Sequence, residues 1–158
     1  MIGPGPNDFQ VNKTAEGAGV TPDMTGTGYR LALRRGGREV LLSRADLLAM
    51  DQHTARLPIA CVEGWTTTQE WTGVRLADLA RAAGAAAGAS ALVRSLQPRG
   101  VLGRASLNAG QLGHPDALLA LKVNGADLSP DHGYPARIIV PGLPGVHNTK
   151  WVGAIEFA

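Results

Sequence analysis

The sequence predicts an α+β domain of mainly antiparallel or mixed β structure with short helices. Short apolar stretches recur along the chain, glycine- and asparagine-containing turns separate several of them, and few segments have helical spacing. With 158 residues, of which 44% are hydrophobic, the chain is long enough for one domain with a substantial core.

A hairpin and a capped helix are predicted first. Residues Tyr29–Leu33 alternate apolar and polar, Gly36-Gly37 supplies a turn, and Arg38–Leu42 returns as the partner strand. Ser43 and Asp46 have the spacing of a capping box in its acidic form. A short helix is therefore expected to begin after Ser43.

The middle of the chain is predicted to hold a buried strand, a loop and a helix. Ile59–Glu63 is the strand candidate, and the threonine- and tryptophan-rich segment after it is interpreted as a loop. Apolar residues recur at helical spacing from Leu76 to Ala83, and Gly84 can supply the left-handed C-terminal cap. The alanine- and glycine-rich residues 85–91 are interpreted as a mobile loop.

The last part of the chain is predicted to be mostly β structure. A brief helix is expected over Ser106–Leu112, and Asn124-Gly125 is a strong signal for a tight turn. The predicted strands are Ala91–Leu96, Leu118–Val123, Ala136–Val140 and Trp151–Phe157.

Residues 1–11 are interpreted as a linker or an added terminal segment, because the opening residues are rich in glycine and proline. Residues 12–158 are interpreted as the domain. Such a leading segment fits a domain that belongs to a longer, membrane-anchored parent protein. No stretch approaches the ~20 apolar residues of a transmembrane helix, and the first residues lack the apolar core of a signal peptide.

Charge and cysteine content exclude several classes of function. The net charge of +2 comes from scattered basic residues, and aromatic residues make up only 4%, so nucleic acid is not an expected partner. The single cysteine, Cys61, excludes an internal disulfide and any zinc or iron–sulfur site built from several cysteines.

Two segments carry candidate site residues. Cys61 ends an apolar run, where a lone cysteine is most often a small buried hydrophobic residue but can also be a ligand. His132, Arg137 and Lys150 lie on and beside glycine- and proline-rich turns. Arginine as a planar fork and lysine as a point charge suit a phosphate, so a small anionic cofactor is one interpretation; solvated strand ends are the other.

These segments carry a resemblance to a known family. The stretches Cys61–Trp65, Trp71–Leu79, His132–Arg137 and Thr149–Val152 resemble the molybdopterin-binding domain of the sulfite oxidase family, especially its bacterial methionine-sulfoxide-reductase-like branch. The resemblance extends from about Asn12 to the end of the chain. It implies the sulfite-oxidase-type molybdopterin-binding fold and a molybdenum–molybdopterin cofactor.

The resemblance also implies roles for individual residues. Cys61 would be the thiolate ligand of molybdenum, in keeping with the preference of soft metals for sulfur. Glu63 would point to the same side of a strand as Cys61 and act near the metal as a proton carrier. The residues implied as cofactor-binding are Asn12, Ser95, His132, Arg137, Asn148, Thr149 and Lys150.

Departures from the family pattern narrow the expected activity. Sulfite oxidases carry an asparagine and arginines soon after the metal cysteine, whereas Glu63-Gly64-Trp65 follows here, so sulfite is a poor guess for the substrate. The expectation is oxygen-atom transfer or related two-electron chemistry on a small polar substrate. No haem-binding segment is recognised, so an external electron-transfer partner is expected. By resemblance, the location is periplasmic or extracytoplasmic.

Two other classes of function stay open. In a cysteine-nucleophile enzyme, Cys61 would be activated by one of the four histidines. In a non-catalytic binding or interaction module that kept the fold and lost the cofactor, Trp65 and Trp71 would be core or interface aromatics. The four histidines are His53, His114, His132 and His147.

Overall fold

The structure is a computed structural model that describes residues 11, 13–60, 66–98, 103–142 and 148–158. These residues form an α+β fold in which two five-stranded sheets dominate and the helices are short. The strands are β1 (Leu31–Arg35), β2 (Arg38–Leu42), β3 (His53–Ala60), β4 (Thr66–Arg75), β5 (Ala91–Ser95), β6 (Arg104–Leu107), β7 (Leu118–Val123), β8 (Ala126–Asp127), β9 (Arg137–Ile139) and β10 (Val152–Phe157). The helices are α1 (Ala15–Ala18), α2 (Pro22–Thr25), α3 (Arg44–Ala49), α4 (Leu76–Ala82), α5 (Ala109–Leu112) and a 3-10 helix, Pro130–His132.

The first sheet has the strand order β2-β1-β10-β5-β6. Its central strand, β10, pairs in parallel with β1, from Ala32 opposite Ala154 to Arg35 opposite Phe157, and antiparallel with β5. The sheet is therefore mixed.

The second sheet is antiparallel and carries Arg137 on β9. Its order is β3-β4-β7-β8, and β9 also pairs with β7. The pairing of β7 with β9 places Ala120 opposite Arg137. Trp71 on β4 is paired with Val123 on β7, so β7 connects the strand of Trp71 to the strand of Arg137.

Two apolar clusters lie on opposite faces of the second sheet. The main core contains Leu119, Leu121 and Ile138 from this sheet, residues such as Leu33 and Ile155 from the first sheet, and residues of α3 and α4. Successive side chains of a strand point to opposite faces, so Leu118 and Ala120 face away from this core. With other buried residues they form what we call the Trp71 cluster: Leu57, Trp71, Leu118, Ala120, Val123, Leu128 and Ile139.

Several local predictions are confirmed. The hairpin forms, and the Ser43 hydroxyl accepts the Asp46 amide at 3.0 Å while the Asp46 carboxylate accepts the Ser43 amide at 2.9 Å. Helix α4 ends before Gly84, whose φ is +78°. Strand β7 has the predicted bounds, and the turn after it has Asn124 and Gly125 at φ of 51° and 80°. Each of these features depends on residues that are close in sequence.

Two predictions are wrong. The segment after residue 65, interpreted as a loop, is strand β4, because its polar threonines occupy a strand that pairs with both β3 and β7. The helix predicted over Ser106–Leu112 begins only at Ala109. Ser106 belongs to β6, which pairs with β5, and Asn108 caps the helix by accepting the Gln111 amide at 2.8 Å.

The described ranges contain no helix that is both long enough and apolar enough to cross a bilayer. Of the strand predicted over Ile59–Glu63, the part up to Ala60 belongs to β3, and the rest lies outside the described residues.

Candidate functional site

Five of the predicted cofactor-binding residues lie together, although they come from two separate stretches of sequence. His132 ends the 3-10 helix, Arg137 begins β9, and Asn148 to Lys150 precede β10. The two stretches are joined by backbone hydrogen bonds, from the Ile138 amide to the Thr149 carbonyl at 2.8 Å and from the Val152 amide to the Ala136 carbonyl at 2.9 Å.

Arg137 is a buried cation. Its residue is 3% exposed, and its guanidinium donates from Nη1 to the His132 carbonyl and from Nη2 to the Asn148 carbonyl, both at 3.2 Å. Burial lowers the pKa of Arg137 to about 9, so the group still carries its proton at neutral pH. Among the described residues no carboxylate forms an ion pair with it.

Two buried polar atoms of the site have no hydrogen-bond partner within the described part of the chain: Nε of Arg137 and Oγ1 of Thr149. Buried polar groups are nearly always satisfied in folded proteins, because leaving one unpaired costs about 1–3 kcal/mol. Asn148 differs, since its side-chain carbonyl accepts the Val140 amide at 2.8 Å.

Lys150 connects the site to the first helix of the domain. Its ammonium donates to the carbonyls of Lys13 and Asp131, both at 2.8 Å, and lies 5.3 Å from the ring centre of Trp151. The Asp131 carboxylate in turn accepts the amide of Ala15, the first residue of α1, at 2.9 Å. The segment before α1 is thus held against the 3-10 helix.

Gly133 makes room for the two basic side chains. Its φ is +115°, and a Cβ at this position would lie 3.0 Å from Cβ of Arg137 and 3.2 Å from Cβ of Lys150. A larger residue would be strained by its backbone conformation and would also crowd both side chains.

Ser95 lies beside this group, and its hydroxyl is engaged by backbone atoms. It donates to the Lys150 carbonyl at 2.8 Å and accepts the Gln97 amide at 3.0 Å. Ser95 therefore fixes the end of β5 against the Lys150 segment. The structure brings together six of the predicted cofactor-binding residues.

The remaining predicted site residues, Asn12, Cys61 and Glu63, lie outside the described residues. Strand β3 ends at Ala60, which is paired with Thr66, so Cys61 directly follows the last residue of that strand. Among the residues that the structure describes, no group of three or more His, Cys, Asp or Glu side chains could hold a metal ion.

The histidines bear on the cysteine-nucleophile alternative. Both ring nitrogens of His53 are engaged, Nε2 with the Asp116 carboxylate at 2.8 Å and Nδ1 with Nη2 of Arg75 at 3.0 Å. His53 begins β3, and the last residue of this strand, Ala60, lies roughly 23 Å away. The activation of Cys61 by a histidine stays a prediction.

Trp71 also lies at the site, although the sequence does not predict this. The Arg137 guanidinium lies over the Trp71 ring, 5.2 Å from its centre, and the Trp71 residue is fully buried. A core role for this tryptophan agrees with its burial, but its contact with a predicted cofactor-binding residue depends on the pairing of β4, β7 and β9.

Comparison with known proteins gives one family. The model of the oxidoreductase molybdopterin binding domain matches residues 18–158. The mitochondrial sulfite oxidase of Mus musculus is 31% identical over 163 residues, which cover 85% of this chain and 30% of that protein. The uncharacterized oxidoreductase YuiH of Bacillus subtilis (strain 168) is 31% identical over 119 residues, which cover 75% of this chain and 59% of that protein.

A solved structure has the same fold. The sulfane dehydrogenase SoxCD from Paracoccus pantotrophus superposes with a TM-score of 0.72 and 25% identity, over 83% of this chain and 38% of that chain. The chain thus spans less than two thirds of the length of each of these three proteins.

Proposed function

Since the chain belongs to the family of oxidoreductase molybdopterin-binding domains, we propose that it is the cofactor-binding domain of a molybdenum-dependent oxidoreductase acting on a small polar substrate. The reaction class is oxygen-atom transfer or a related two-electron exchange. The observation that carries the proposal is Arg137, a buried cation for which the described residues supply no carboxylate.

The donor set fits the anionic part of molybdopterin. An arginine fork is suited to phosphate oxygens, and Nε of Arg137 and Oγ1 of Thr149 are buried polar atoms still to be satisfied. Both atoms belong to chain segments that the Ile138–Thr149 hydrogen bond holds together. An anionic ligand at this place would satisfy donors and offset the desolvated charge of Arg137.

In this proposal the protein binds and orients the cofactor, and the bound molybdenum centre supplies the oxygen-atom and electron exchange. Arg137 and Thr149 would hold the phosphate, and His132 and Lys150 would also help to bind the cofactor. The site around Arg137 is shielded from water, which strengthens the attraction between its guanidinium and an anion.

The cysteine and the carboxylate that follow β3 have proposed roles beside the metal. Cys61 would ligate molybdenum as a thiolate, because soft metals prefer sulfur ligands. Glu63 would carry a proton to or from the substrate. In sequence, Cys61 directly follows Ala60, the last residue of β3.

The names of the relatives support the substrate class and the need for a redox partner. Sulfite oxidase and sulfane dehydrogenase are both named for small sulfur compounds. A small polar substrate and an external electron-transfer partner are therefore proposed for this chain. An extracytoplasmic location and a membrane-anchored parent protein stay proposals made from the resemblance.

The test is the molybdenum content of the protein after production in a host that makes the cofactor. The wild type is expected to hold close to one molybdenum per chain by elemental analysis, and Cys61→Ser to lose most of it while keeping its melting temperature. Molybdenum absent from both would contradict the proposal and favour the non-catalytic module.

A matched pair of arginine variants tests the phosphate site. Arg137→Lys keeps a cation but loses the planar fork, so its molybdenum content is expected to fall. Arg94→Lys changes an exposed arginine that pairs with Glu156, and it is expected to match the wild type. Equal cofactor content in both variants would remove Arg137 from the proposed site.

A further inference from the structure

The Trp71 side chain is held in place both by packing of its ring and by a hydrogen bond from its indole N–H. Its indole N–H donates to the Leu57 carbonyl at 3.2 Å, and the ring is fully buried within the Trp71 cluster. The strand that carries it is paired on both sides, with β3 and with β7. The ring is therefore a rigid surface, and Arg137 lies against it.

The contacts of Arg137 restrain its guanidinium in complementary ways. Hydrogen bonds to the His132 and Asn148 carbonyls fix Nη1 and Nη2. The Trp71 ring, with its centre 5.2 Å from Cζ, adds an attraction that is strongest when both groups are removed from water. Arg137 is 3% exposed and Trp71 is fully buried, so this condition is met.

An aromatic ring stabilises a cation without neutralising it. A carboxylate beside Arg137 would form an ion pair and compete with an incoming anion, whereas the ring carries no net charge. The described residues supply Arg137 with a ring and two carbonyls and with no carboxylate. The guanidinium is thus held in place with its charge still available.

We propose that Trp71 is a positioning residue that holds the Arg137 guanidinium ready for the anionic group of the cofactor. This inference rests on the proposed function for the identity of the anion. The restraint itself is a property of the protein alone and is measured without cofactor.

The first experiment uses cofactor-free, 15N-labelled protein. The Nε–H signal of Arg137, assigned by its loss in Arg137→Lys, reports how fast this proton exchanges with water. Exchange of this proton is expected to become at least about tenfold faster in Trp71→Leu. A desolvated cation–π contact is strong enough for its loss to cause a change of this size. In Trp71→Phe, which keeps a smaller aromatic face, the rate is expected to lie between those of the wild type and Trp71→Leu.

Leu128→Ala is the control for loss of packing. Leu128 belongs to the same apolar cluster, and its truncation lowers stability without removing the ring. The exchange rate of Arg137 in Leu128→Ala is expected to stay within about twofold of the wild-type rate. This change is smaller than the one expected from loss of the cation–π contact. If Trp71→Leu does not fold, the comparison of wild type, Trp71→Phe and Leu128→Ala decides the matter.

The second experiment uses protein loaded with cofactor and follows the loss of molybdenum and pterin on dialysis. Trp71→Leu is expected to release them at least about ten times faster than the wild type, and Leu128→Ala at close to the wild-type rate. Unchanged Arg137 exchange in Trp71→Leu, or an equal change in Leu128→Ala, would overturn the inference. If the wild type takes up no molybdenum while exchange responds as expected, the proposed function fails and the restraint of Arg137 by Trp71 is supported.

Discussion

The side-chain carbonyl of Asn148 accepts a hydrogen bond from the backbone amide of Val140 at 2.8 Å, and both residues are buried. This bond joins the end of the β9 segment to the segment that contains Thr149 and Lys150. Because Val140 is only 2% exposed, a hydrogen bond to its amide contributes to the stability of the site as well as to its shape.

Asn148→Ala is expected to destabilise the fold by about 1–3 kcal/mol, the cost of leaving a buried donor without its acceptor. The free energy of unfolding from urea denaturation measures this. Asn108→Ala is a useful comparison, because Asn108 is an exposed helix cap whose loss is expected to cost about 1 kcal/mol. An Asn148→Ala variant as stable as the wild type would show that Val140 finds another acceptor.

Tyr29 provides a second buried hydrogen bond, from its hydroxyl to the Val152 carbonyl at 2.6 Å. Tyr29→Phe keeps the ring and removes the donor, so a loss of about 1 kcal/mol in the free energy of unfolding is expected at neutral pH. Thermal and urea unfolding of both proteins give this value, and no loss would mean that the hydroxyl contributes nothing net to stability.

The same residue predicts a pH dependence. Burial raises the pKa of Tyr29, so the folded protein keeps this proton at a pH where the unfolded chain, with a tyrosine pKa near 10, loses it. The contribution to stability is present below about pH 10 and is lost as the pH rises above that value. The wild type should therefore lose stability more steeply than Tyr29→Phe above pH 10, and parallel curves would contradict the raised pKa.

Two glycines with positive φ form a matched pair. A Cβ added to Gly125, whose φ is +80°, would meet no atom of the described residues within 4 Å, whereas a Cβ at Gly133 would crowd Arg137 and Lys150. Gly125→Ala is expected to cost about 1 kcal/mol from backbone strain alone. Gly133→Ala is expected to cost more and to lower molybdenum content, as measured by urea denaturation and elemental analysis. Equal costs with unchanged molybdenum would show that the site tolerates the crowding.

Lys150 predicts a local effect near the first helix. Lys150→Met keeps an apolar stem beside Trp151 but removes the donor to the carbonyls of Lys13 and Asp131. The amides of Ala15 and Ala18 are expected to exchange with deuterium several-fold faster, since each lost hydrogen bond is worth about 0.5–1.5 kcal/mol. Lys122→Met, which changes a lysine on β7, is the control and should leave these amides unchanged.

Features set by neighbouring residues can be predicted from the sequence. The Ser43–Asp46 capping box and the Asn124-Gly125 turn depend on side chains and backbone angles within a few positions. The bounds of strand β7 are predictable because its apolar residues are nearly continuous and a turn follows at once.

Features set by distant pairing cannot be predicted in the same way. Strand β4 carries several polar residues and is stabilised by two neighbouring strands, so its sequence alone favours a loop. At Gly73 the backbone of β7 comes so close that a side chain has no room, and this close approach is evident only once both strands are placed.

The candidate site shows the same division. His132, Arg137 and Lys150 are predicted from their types and from the turns around them, whereas Asn148 and Thr149 are predicted from the family resemblance. The sequence does not assign the Trp71 ring to the site. The ring meets Arg137 only because β4 pairs with β7 and β7 pairs with β9.

The position of β10 has a consequence for how the protein folds. This strand follows β1 by more than 100 residues in sequence, yet it lies in the centre of the first sheet and pairs in parallel with β1. Contacts between residues so far apart in sequence are slow to form, because a long loop must close first. On the ribosome, the hairpin of β1 and β2 is made long before Val152–Phe157. It can therefore join β5 and β6 in one sheet only after β10 has been synthesised.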